Sequence, residues 1–349
     1  ASSSIYDRIE RFFGRFTPND EQFEAMCKQA EREFIENPGL YKIKAITLAL
    51  FGYSAIALGF VSLLALLYFG VQLAMHSKGG TFFLSAKFLI VIFAAVAVLV
   101  KSLWIKSEAP KGLPIKREDA PELYKMVDEI ADKLNTRVDH ILLDGNFNAY
   151  VTQKAVAEWL GIYENYMVLG LPLMLAASPS QYKAILAHEL GHLSGNHSKS
   201  KAWLYNMRIR LGQIMESSKE SAFFVFWYTF FYLFAPHFYA YTLAMARHHE
   251  LQADKSAVEI AGVEPFSYGM MLLPVWEELY ETSFWEDINK KMRTTETPPP
   301  DLYKQMQDRL FALHAEPEEL NKILKRAFEV DAKGTDSHPP LKIRVLAGQ

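Results

Sequence analysis

The stretch SPSQYKAILAHELGHLSGNH, which runs from Ser178 to His197, determines how the rest of the chain is interpreted. Ser178 followed by Pro179 is typical of a helix N-cap and a first helical position. Apolar side chains then recur at helical spacing, at Ile185, Leu186, Leu190 and Leu193. The stretch therefore predicts a helix that begins directly after Ser178.

A His-Glu-Leu-Gly-His motif, residues 188–192, lies inside this predicted helix. Residues four apart on a helix lie on one face, one turn above the other. His188 and His192 can therefore offer two imidazole nitrogens to one tetrahedral zinc ion. Glu189 lies at the flank of that ion, where it can accept a proton from the attacking water and return it to a leaving amine. We interpret the motif as catalytic rather than as two packed or solvated histidines.

Length and composition limit the classes of protein to consider. At 349 residues the chain can hold a large core and two structural parts, and its 50% apolar and 13% aromatic content is compatible with a protein partly in lipid. The net charge is −3 with no basic block, so we expect no nucleic-acid partner. Cys27 is the single cysteine, which excludes intrachain disulfides, and we expect no thiolate ligation of the zinc. The first forty residues are polar and charged, so no cleavable signal peptide is expected.

Two long apolar segments precede the motif. Ala45 to Met75 contains no charged residue, and Phe82 to Trp104 contains Lys87 near its start and Lys101 near its end. Because about twenty apolar residues suffice to cross a bilayer, we predict a transmembrane hairpin over residues 44–106. A buried helical pair in a soluble protein is the alternative.

Charges around this hairpin predict its orientation. Basic residues flank both of its ends: Lys42, Lys44, Lys101, Lys106, Lys111, Lys116 and Arg117. The positive-inside rule then places the N-terminus and everything after residue 105 in the cytoplasm. Residues 1–43 have apolar positions at helical spacing, so we expect amphipathic helices there, lying on the membrane surface or on the catalytic domain, or simply solvated.

Residues 107–349 form the predicted catalytic domain. A helix is expected from Ala120 to Asn135, short strands at Val138–Leu143 and Tyr166–Leu169, and a polar helix from about Lys199 to Glu220. Beyond residue 260 the chain should be mostly helical. The predicted fold class is mainly α (α+β), with a small β-sheet in a helix-rich domain that follows the transmembrane hairpin.

Two histidines leave room for a third protein ligand on a catalytic zinc. His197 is rejected, because an HExxHxxGxxH arrangement needs histidine at position 198, where this chain has Ser198. Glu216 is a candidate, with Glu220 one turn further along.

Glu250 is the other carboxylate candidate for the third ligand. Glu250 and Asp254 share a helix face, so Glu250 could bind the metal while Asp254 holds the distal N–H of a ligating histidine. His248 and His249 could be ligands as well. The residues alone leave the choice between these candidates open.

Taken together, these motifs resemble peptidase family M48, a family of membrane zinc endopeptidases, and its bacterial HtpX-like members in particular. The resemblance covers residues 118–346 and rests on four motifs: HELGH at 188–192, RxxExxAD at 247–254, SHPPxxxR at 337–344 and Asn148-Ala149-Tyr150. It implies a gluzincin-type zinc protease domain at the inner (cytoplasmic) membrane of a bacterium, multi-pass, with its active site facing the cytoplasm.

The resemblance also implies roles for individual residues. His188, His192 and Glu250 would bind one zinc ion per chain, and Glu189 would act as the base. Asp254 would support a ligating histidine, and His338 would act near the metal in catalysis or regulation.

The uncharged, aromatic run at residues 221–246 departs from a simple protease domain. It is long enough to cross a bilayer once, but Glu250 can then not reach the two histidines if they lie on the other side. We therefore expect the run to bend near Pro236 and re-enter, or to form an amphiphilic helix pair in the interface. A core helix of the protease domain is the alternative.

The predicted function is hydrolysis of membrane or misfolded polypeptides in protein quality control. An extended substrate would pair with the strand near Asn148, Ala149 and Tyr150, and oxyanion stabilisation could come from His338 or Arg344. The alternatives are a processing protease for particular membrane or lipidated substrates, and a zinc-stabilised membrane scaffold without turnover. The sequence does not predict the oligomeric state.

Overall fold

The computed structural model describes residues 5–76, 78, 80–103, 109–157, 162–194, 207–208, 211–212, 215, 225–295, 297, 300–312, 317–330, 336 and 338–348. The chain divides into two compact units. The first contains residues 1–106 and 199–245, and the second contains residues 107–198 and 246–349. The described part of the aromatic run before Ala246, residues 225–245, falls in the first unit.

The first unit is helical in the part described. Its N-terminal helices are α1 (Ile5–Phe13), α2 (Asp20–Glu36), α3 (Pro38–His76) and α4 (Gly80–Leu103). The α2 helix begins with a capping box, in which the Asn19 side chain accepts a hydrogen bond from the Gln22 backbone and the Gln22 side chain accepts one from the Asn19 backbone. The predicted amphipathic helices are thus α1 and α2.

Within the described residues, α3 is the helix that is long and apolar enough to cross a membrane. The α4 helix packs against α3 but contains a shorter apolar stretch, Phe82–Ala94. The first half of the predicted hairpin therefore meets the length and composition requirement of a span.

The second unit begins with a small mixed sheet and the helices around it. The elements are β1 (Leu113–Pro114), α5 (Pro121–Lys133), β2 (His140–Asp144), β3 (Ala149–Ala157), β4 (Ile162–Gly170), α6 (Leu171–Ala176) and α7 (Pro179–Gly191). The strand order is β1-β2-β4-β3, with β2 parallel to β4 and the other two pairs antiparallel. The predicted strand at 166–169 is the buried end of the longer β4, and β3 lies at one edge of the sheet.

Helices complete the chain: α8 (Val225–Ala261), α9 (Val263–Glu278), α10 (Trp285–Met292), α11 (Leu302–Ala312), α12 (Pro317–Glu329) and α13 (Leu341–Ala347), with a π-helical segment at Leu279–Phe284. The core of the second unit is formed by the inner face of the sheet, α5, α7, and the helices from α9 onward. The predicted mainly α (α+β) class with a small sheet is confirmed.

The aromatic run before Glu250 is one continuous helix with the residues that follow it. The α8 helix runs from Val225 to Ala261 with Pro236 inside it, so the described residues form one helix and neither re-enter at Pro236 nor form the predicted helix pair. Phe231, Phe234 and Phe238 are buried with α3 residues in the core of the first unit, so the core-helix alternative for the protease domain is wrong as well. A proline costs a helix one backbone hydrogen bond, but here aromatic packing holds the helix together on both sides of it.

A row of small residues on α3 lets other helices of the first unit approach closely. At Gly59, an added Cβ would lie 1.3 Å from a ring carbon of Trp227, and at Gly52 it would lie 2.3 Å from the Met207 side chain. These distances leave no space for a methyl group at Gly59. The glycine is therefore required by packing, although glycine lowers helix propensity.

We expect Gly59→Ala to destabilise the first unit by about 1–3 kcal/mol, because the indole of Trp227 must move away. Thermal unfolding in detergent measures the effect. The matched control is Gly212→Ala, since no described residue has an atom within 4 Å of a Cβ added there. Equal unfolding temperatures for the two variants would contradict the packing described here.

Candidate metal centre

A capping box stabilises the N-terminal end of the helix that carries the two histidines. Ser178 is the N-cap of α7, its side chain accepts a hydrogen bond from the Gln181 backbone, and Gln181 Oε1 accepts one from the Ser178 backbone at 2.9 Å. Pro179 occupies the first helical position, as predicted. From Tyr182 to Leu190, every residue except Lys183 and Glu189 is buried, so α7 is a core helix of the second unit.

His188 and His192 lie at the C-terminal end of α7. The regular helix ends at Gly191, but His192 keeps helical backbone angles (φ −67°, ψ −26°) as the C-cap residue. The two imidazole rings are therefore one helical turn apart, with their centroids separated by 4.8 Å. His188 is buried, whereas His192 is partly open to solvent.

Glu250 faces both histidines from α8. One carboxylate oxygen of Glu250 lies 3.6 Å from His188 Nε2, and the other lies 3.5 Å from His192 Nε2. One ligand atom from each of the three residues lies within 4.8 Å of the others. Two imidazoles and one carboxylate that converge in this way are the donor set of a three-ligand zinc site, so the residues present fit the metal.

Asp254 holds His188 from the far side of the imidazole. Its Oδ1 lies 2.9 Å from His188 Nδ1, which fixes the tautomer that leaves Nε2 free to bind a metal. The Asp254 carboxylate is only 1% exposed, so its charge needs compensation. Burial alone would raise its pKa, but hydrogen bonds from Arg344 and His188 outweigh burial and hold the pKa below its usual range.

Arg344 supplies that compensation. Its Nε donates to Asp254 Oδ2 at 2.9 Å and its Nη2 donates to Oδ1 at 2.6 Å, and Nη2 also lies 3.4 Å from the ring nitrogens of His188. The guanidinium is thus engaged in a two-pronged ion pair with Asp254. Arg344 therefore lies behind the candidate ligand His188, and its predicted role in oxyanion stabilisation stays a prediction.

His338 contacts the centre through Glu250. His338 Nδ1 donates to Glu250 Oε2 at 2.7 Å, and this hydrogen bond raises the pKa of His338 and helps to hold the pKa of Glu250 down against the effect of burial. The backbone next to His338 is anchored as well, because Arg247 Nε donates to the Asp336 carbonyl at 3.0 Å. Arg247 was part of the recognised motif, but its partner lies 89 residues away and could not be predicted from spacing.

The Glu189 carboxyl group lies beside the candidate ligands, and its pKa is well above that of an ordinary glutamate. Burial is the largest influence; the charge of His188 opposes it and Glu250 adds to it, so that the pKa of Glu189 is raised to about 7. A carboxylate with a pKa near neutrality can both accept and release a proton at physiological pH.

Gly191 allows α7 and α8 to approach at the centre. A Cβ at this position would lie 3.1 Å from Ala253 Cα, 3.3 Å from Ala253 Cβ and 3.4 Å from Ser256 Cβ. Gly191 and Ala253 therefore meet at the point where the pairs His188–Asp254 and His192–Glu250 are made. Sequence reasoning missed this contact because it joins two motifs far apart in the chain.

Of the predicted substrate-binding residues, Ala149 and Tyr150 begin the edge strand β3 and Asn148 directly precedes it. Ala149 pairs with Leu169 and Tyr150 with Val168 of β4, while β3 also contacts α7. The loop before Asn148 is held by Tyr280, whose hydroxyl donates to the Gly145 carbonyl at 2.9 Å. In the described part of the sheet the other edge of β3 has no strand beside it.

The other ligand candidates fall into two groups. His197, Glu216 and Glu220 lie outside the described residues. His248 and His249 are described, but the group of residues able to hold a metal contains neither of them. His248 Nε2 instead lies 3.0 Å from Gln252 Nε2.

Two imidazoles, a converging carboxylate and a glutamate next to the first histidine define a candidate metallohydrolase centre of the His-Glu-x-x-His class. The sequence model of Peptidase family M48 matches residues 117–347, which is more than half of the chain. The chain belongs to this family, and membership implies a metal-dependent peptidase.

Other comparisons add little. No curated protein matches the chain. Among solved structures, Ste24p of S. mikatae aligns at 16% identity with a TM-score of 0.37, covering 88% of this chain and 67% of that one.

We expect Asp254→Asn to weaken metal binding about 10–100-fold, because the amide cannot replace the charge that holds both His188 and Arg344. Competition with a chromophoric chelator measures the affinity. Glu259→Gln, an exposed change on the same helix, is the control and should leave the affinity unchanged. An unchanged affinity in Asp254→Asn would show that the carboxylate does not support a ligand.

In the metal-free protein we expect the Glu189 carboxyl to be protonated at pH 5 and ionised at pH 9, with a midpoint near pH 7, because burial raises its pKa to about 7. Infrared difference spectra against Glu189→Gln isolate its carbonyl band. A midpoint close to the ordinary glutamate value of about 4.3 would contradict the buried environment described here.

Proposed function

We propose that this chain is a zinc-dependent endopeptidase that hydrolyses membrane or misfolded proteins at the cytoplasmic face of a bacterial inner membrane. The observation that carries the proposal is the convergence of His188, His192 and Glu250, with Glu189 beside them. Family membership supports peptide hydrolysis, and α3 supports attachment to a membrane.

His188, His192 and Glu250 would hold one zinc ion. When bound there, zinc would supply a Lewis acid that polarises the scissile carbonyl and increases the acidity of the attacking water. With two neutral histidines and one carboxylate as ligands, a bound zinc ion would keep a net charge of about +1, which would favour the developing negative charge of the carbonyl oxygen.

Glu189 is the proposed proton carrier. Its carboxylate accepts a proton from the attacking water and later delivers it to the leaving amine. His338 and Arg344 act around it: His338 holds Glu250 in place, and Arg344 neutralises Asp254 so that His188 stays oriented. We propose that His338, which is exposed and lies 2.7 Å from Glu250, also contacts a substrate bound at the centre.

The edge strand β3 is the proposed substrate-binding element. An extended peptide beside Asn148, Ala149 and Tyr150 could add to the sheet through backbone hydrogen bonds, a mode that reads chain conformation more than sequence. Only a locally unfolded segment can bind in this way. Selection for unfolded segments suits quality control of membrane proteins better than cleavage at one fixed sequence.

Cleavage of an unfolded protein by the detergent-solubilised enzyme tests this function. We expect Glu189→Gln to retain zinc and to lose cleavage by about two to four orders of magnitude, because the proton carrier is removed while the ligands remain. Casein and an unfolded membrane protein are suitable substrates, and zinc content is measured on the same samples.

Glu250→Ala is the complementary variant and should lose both zinc and activity, whereas Glu259→Gln should lose neither. Equal activity in the wild type and Glu189→Gln would remove the proposed proton carrier. Zinc retention without any cleavage by the wild type would instead favour a scaffold. Cleavage of one lipidated or membrane substrate only would favour a processing protease.

A further inference from the structure

The α1 helix packs on the rest of the first unit with one of its faces. Tyr6 is buried against Tyr228 of α8, and the two rings meet edge to face with their centroids 4.9 Å apart. A 3₁₀ turn, Gly14–Phe16, continues the helix, and a Cβ added at Gly14 would lie 3.5 Å from the Tyr232 hydroxyl. These two contacts hold α1 beside the first two turns of α8.

The opposite face of α1 is exposed and combines aromatic with basic side chains. Phe12 and Phe16 are both more than half exposed. The Arg15 guanidinium lies over both rings, with its Cζ 4.3 Å from the Phe12 centroid and 5.0 Å from the Phe16 centroid. Arg8 is exposed as well, and residues 8, 12 and 15 lie along one side of the helix because of their spacing. Two arginines therefore flank an exposed aromatic pair.

The charges of α1 favour an anion at this face. Glu10 accepts a hydrogen bond from the Tyr228 hydroxyl, so its carboxylate is engaged by α8. Asp7 and Arg11 are four positions apart, so their opposite charges lie side by side and offset each other. Within residues 5–16 the charges of Arg8 and Arg15 are then not offset, and the exposed face is positive.

The first unit places α1 at one edge of an exposed apolar surface. Trp227, the neighbour of Tyr228, packs on Gly59 of α3. From Gly59 the α3 helix continues to His76, a rise of about 26 Å, which is close to the thickness of about 30 Å of the hydrocarbon core of a bilayer. Large apolar side chains are exposed along this part of α3: Val61, Leu64, Leu66, Phe69, Val71, Leu73 and Met75. A bilayer around it would therefore end near α1.

A charged contact lies on the other side of this level. Lys44 of α3 and Glu33 of α2 form an ion pair at 2.7 Å, and both side chains are partly exposed. Lys44 is about 22 Å from Gly59 along the helix axis. Partly exposed charges there fit an aqueous side, so the position of α1 matches the headgroup layer between water and hydrocarbon.

We propose that α1 and its 3₁₀ turn bind an anionic phospholipid at the membrane surface. Arg8 and Arg15 bind the phosphate group, since a guanidinium donates parallel hydrogen bonds to phosphate oxygens. The rings of Phe12 and Phe16 lie at the boundary with the acyl chains, where aromatic side chains are favoured. The inference rests on the membrane attachment in the proposed function, but not on peptide hydrolysis.

Spin-label accessibility in bilayers of phosphatidylcholine and phosphatidylglycerol tests the position of α1. Cys27 is buried and is replaced by alanine, so that Phe12→Cys supplies the single labelling site. We expect this label to be accessible to oxygen, which dissolves in lipid, and protected from a water-soluble nickel chelate. Val61→Cys on α3 is the lipid-facing control, and Lys28→Cys on α2 is the water-facing control, because both residues are exposed.

Native mass spectrometry of the detergent-purified protein with added phosphatidylglycerol tests the arginines. We expect the double variant Arg8→Gln/Arg15→Gln to bind this lipid about ten- to thirtyfold more weakly, because each basic residue near a membrane surface contributes to the attraction. Binding of phosphatidylcholine should not change. The variant Arg8→Lys/Arg15→Lys keeps both charges and should bind phosphatidylglycerol within about threefold of the wild type.

Lys28→Gln/Arg32→Gln is the matched control, because it removes two exposed positive charges from the neighbouring α2 helix. This part of α2 lies away from α1, since Cys27 packs against Ala240, about 18 Å along α8 from Tyr228. Charges at that distance are screened by salt, so phosphatidylglycerol binding should change by less than about twofold. Unfolding temperatures confirm that each variant is folded.

The outcomes separate this inference from the proposed function. Equal phosphatidylglycerol binding by the wild type and Arg8→Gln/Arg15→Gln overturns the inference alone, and so does a Phe12 label as accessible to nickel as the Lys28 label. A Val61 label accessible to nickel contradicts membrane crossing by α3 and overturns both. Zinc content and casein cleavage should be unchanged in Arg8→Gln/Arg15→Gln. A wild type that cleaves nothing contradicts the peptidase function only, because the lipid measurements need no turnover.

Discussion

The buried ion pair between Asp254 and Arg344 is the interaction on which the rest of the centre depends. A carboxylate that is 1% exposed is stable only if its charge is matched and its oxygens are hydrogen-bonded, and Arg344 and His188 do both. Through this pair α7, α8 and α13 are joined at one point. His188 is oriented, the helix that carries Glu250 is fixed, and the segment that carries His338 is brought alongside.

Much of the centre could be predicted from local spacing. The N-cap at Ser178, the turn between His188 and His192, and the shared helix face of Glu250 and Asp254 all follow from the geometry of a helix, which needs no knowledge of the fold. The choice of Glu250 over Glu216 needed the resemblance to a family. The contacts of Arg344 with Asp254 and of Arg247 with Asp336 cross about 90 residues of sequence, so no periodicity could indicate them.

The fold of the aromatic run was less accessible to sequence reasoning. Composition indicated a helix apolar enough to lie in a bilayer, and Pro236 indicated a bend. Neither property indicates which other helix packs against it. The small residues Ala45, Ala49 and Gly52 of α3 create the surface against which Phe234 packs, and this match is a property of two segments together. The second unit was easier to predict because its strands and helices are short and bounded by turns.

Gly191 has a consequence for the evolution of the centre. In a His-Glu-x-x-His motif the two middle positions supply neither a metal ligand nor the proton carrier. Here the second of them touches Ala253 and Ser256 on the neighbouring helix, so its size is tied to theirs. A lineage that enlarges residue 191 must let α8 shift by a few tenths of an ångström or reduce a residue on it, so the sizes of these residues are expected to change together.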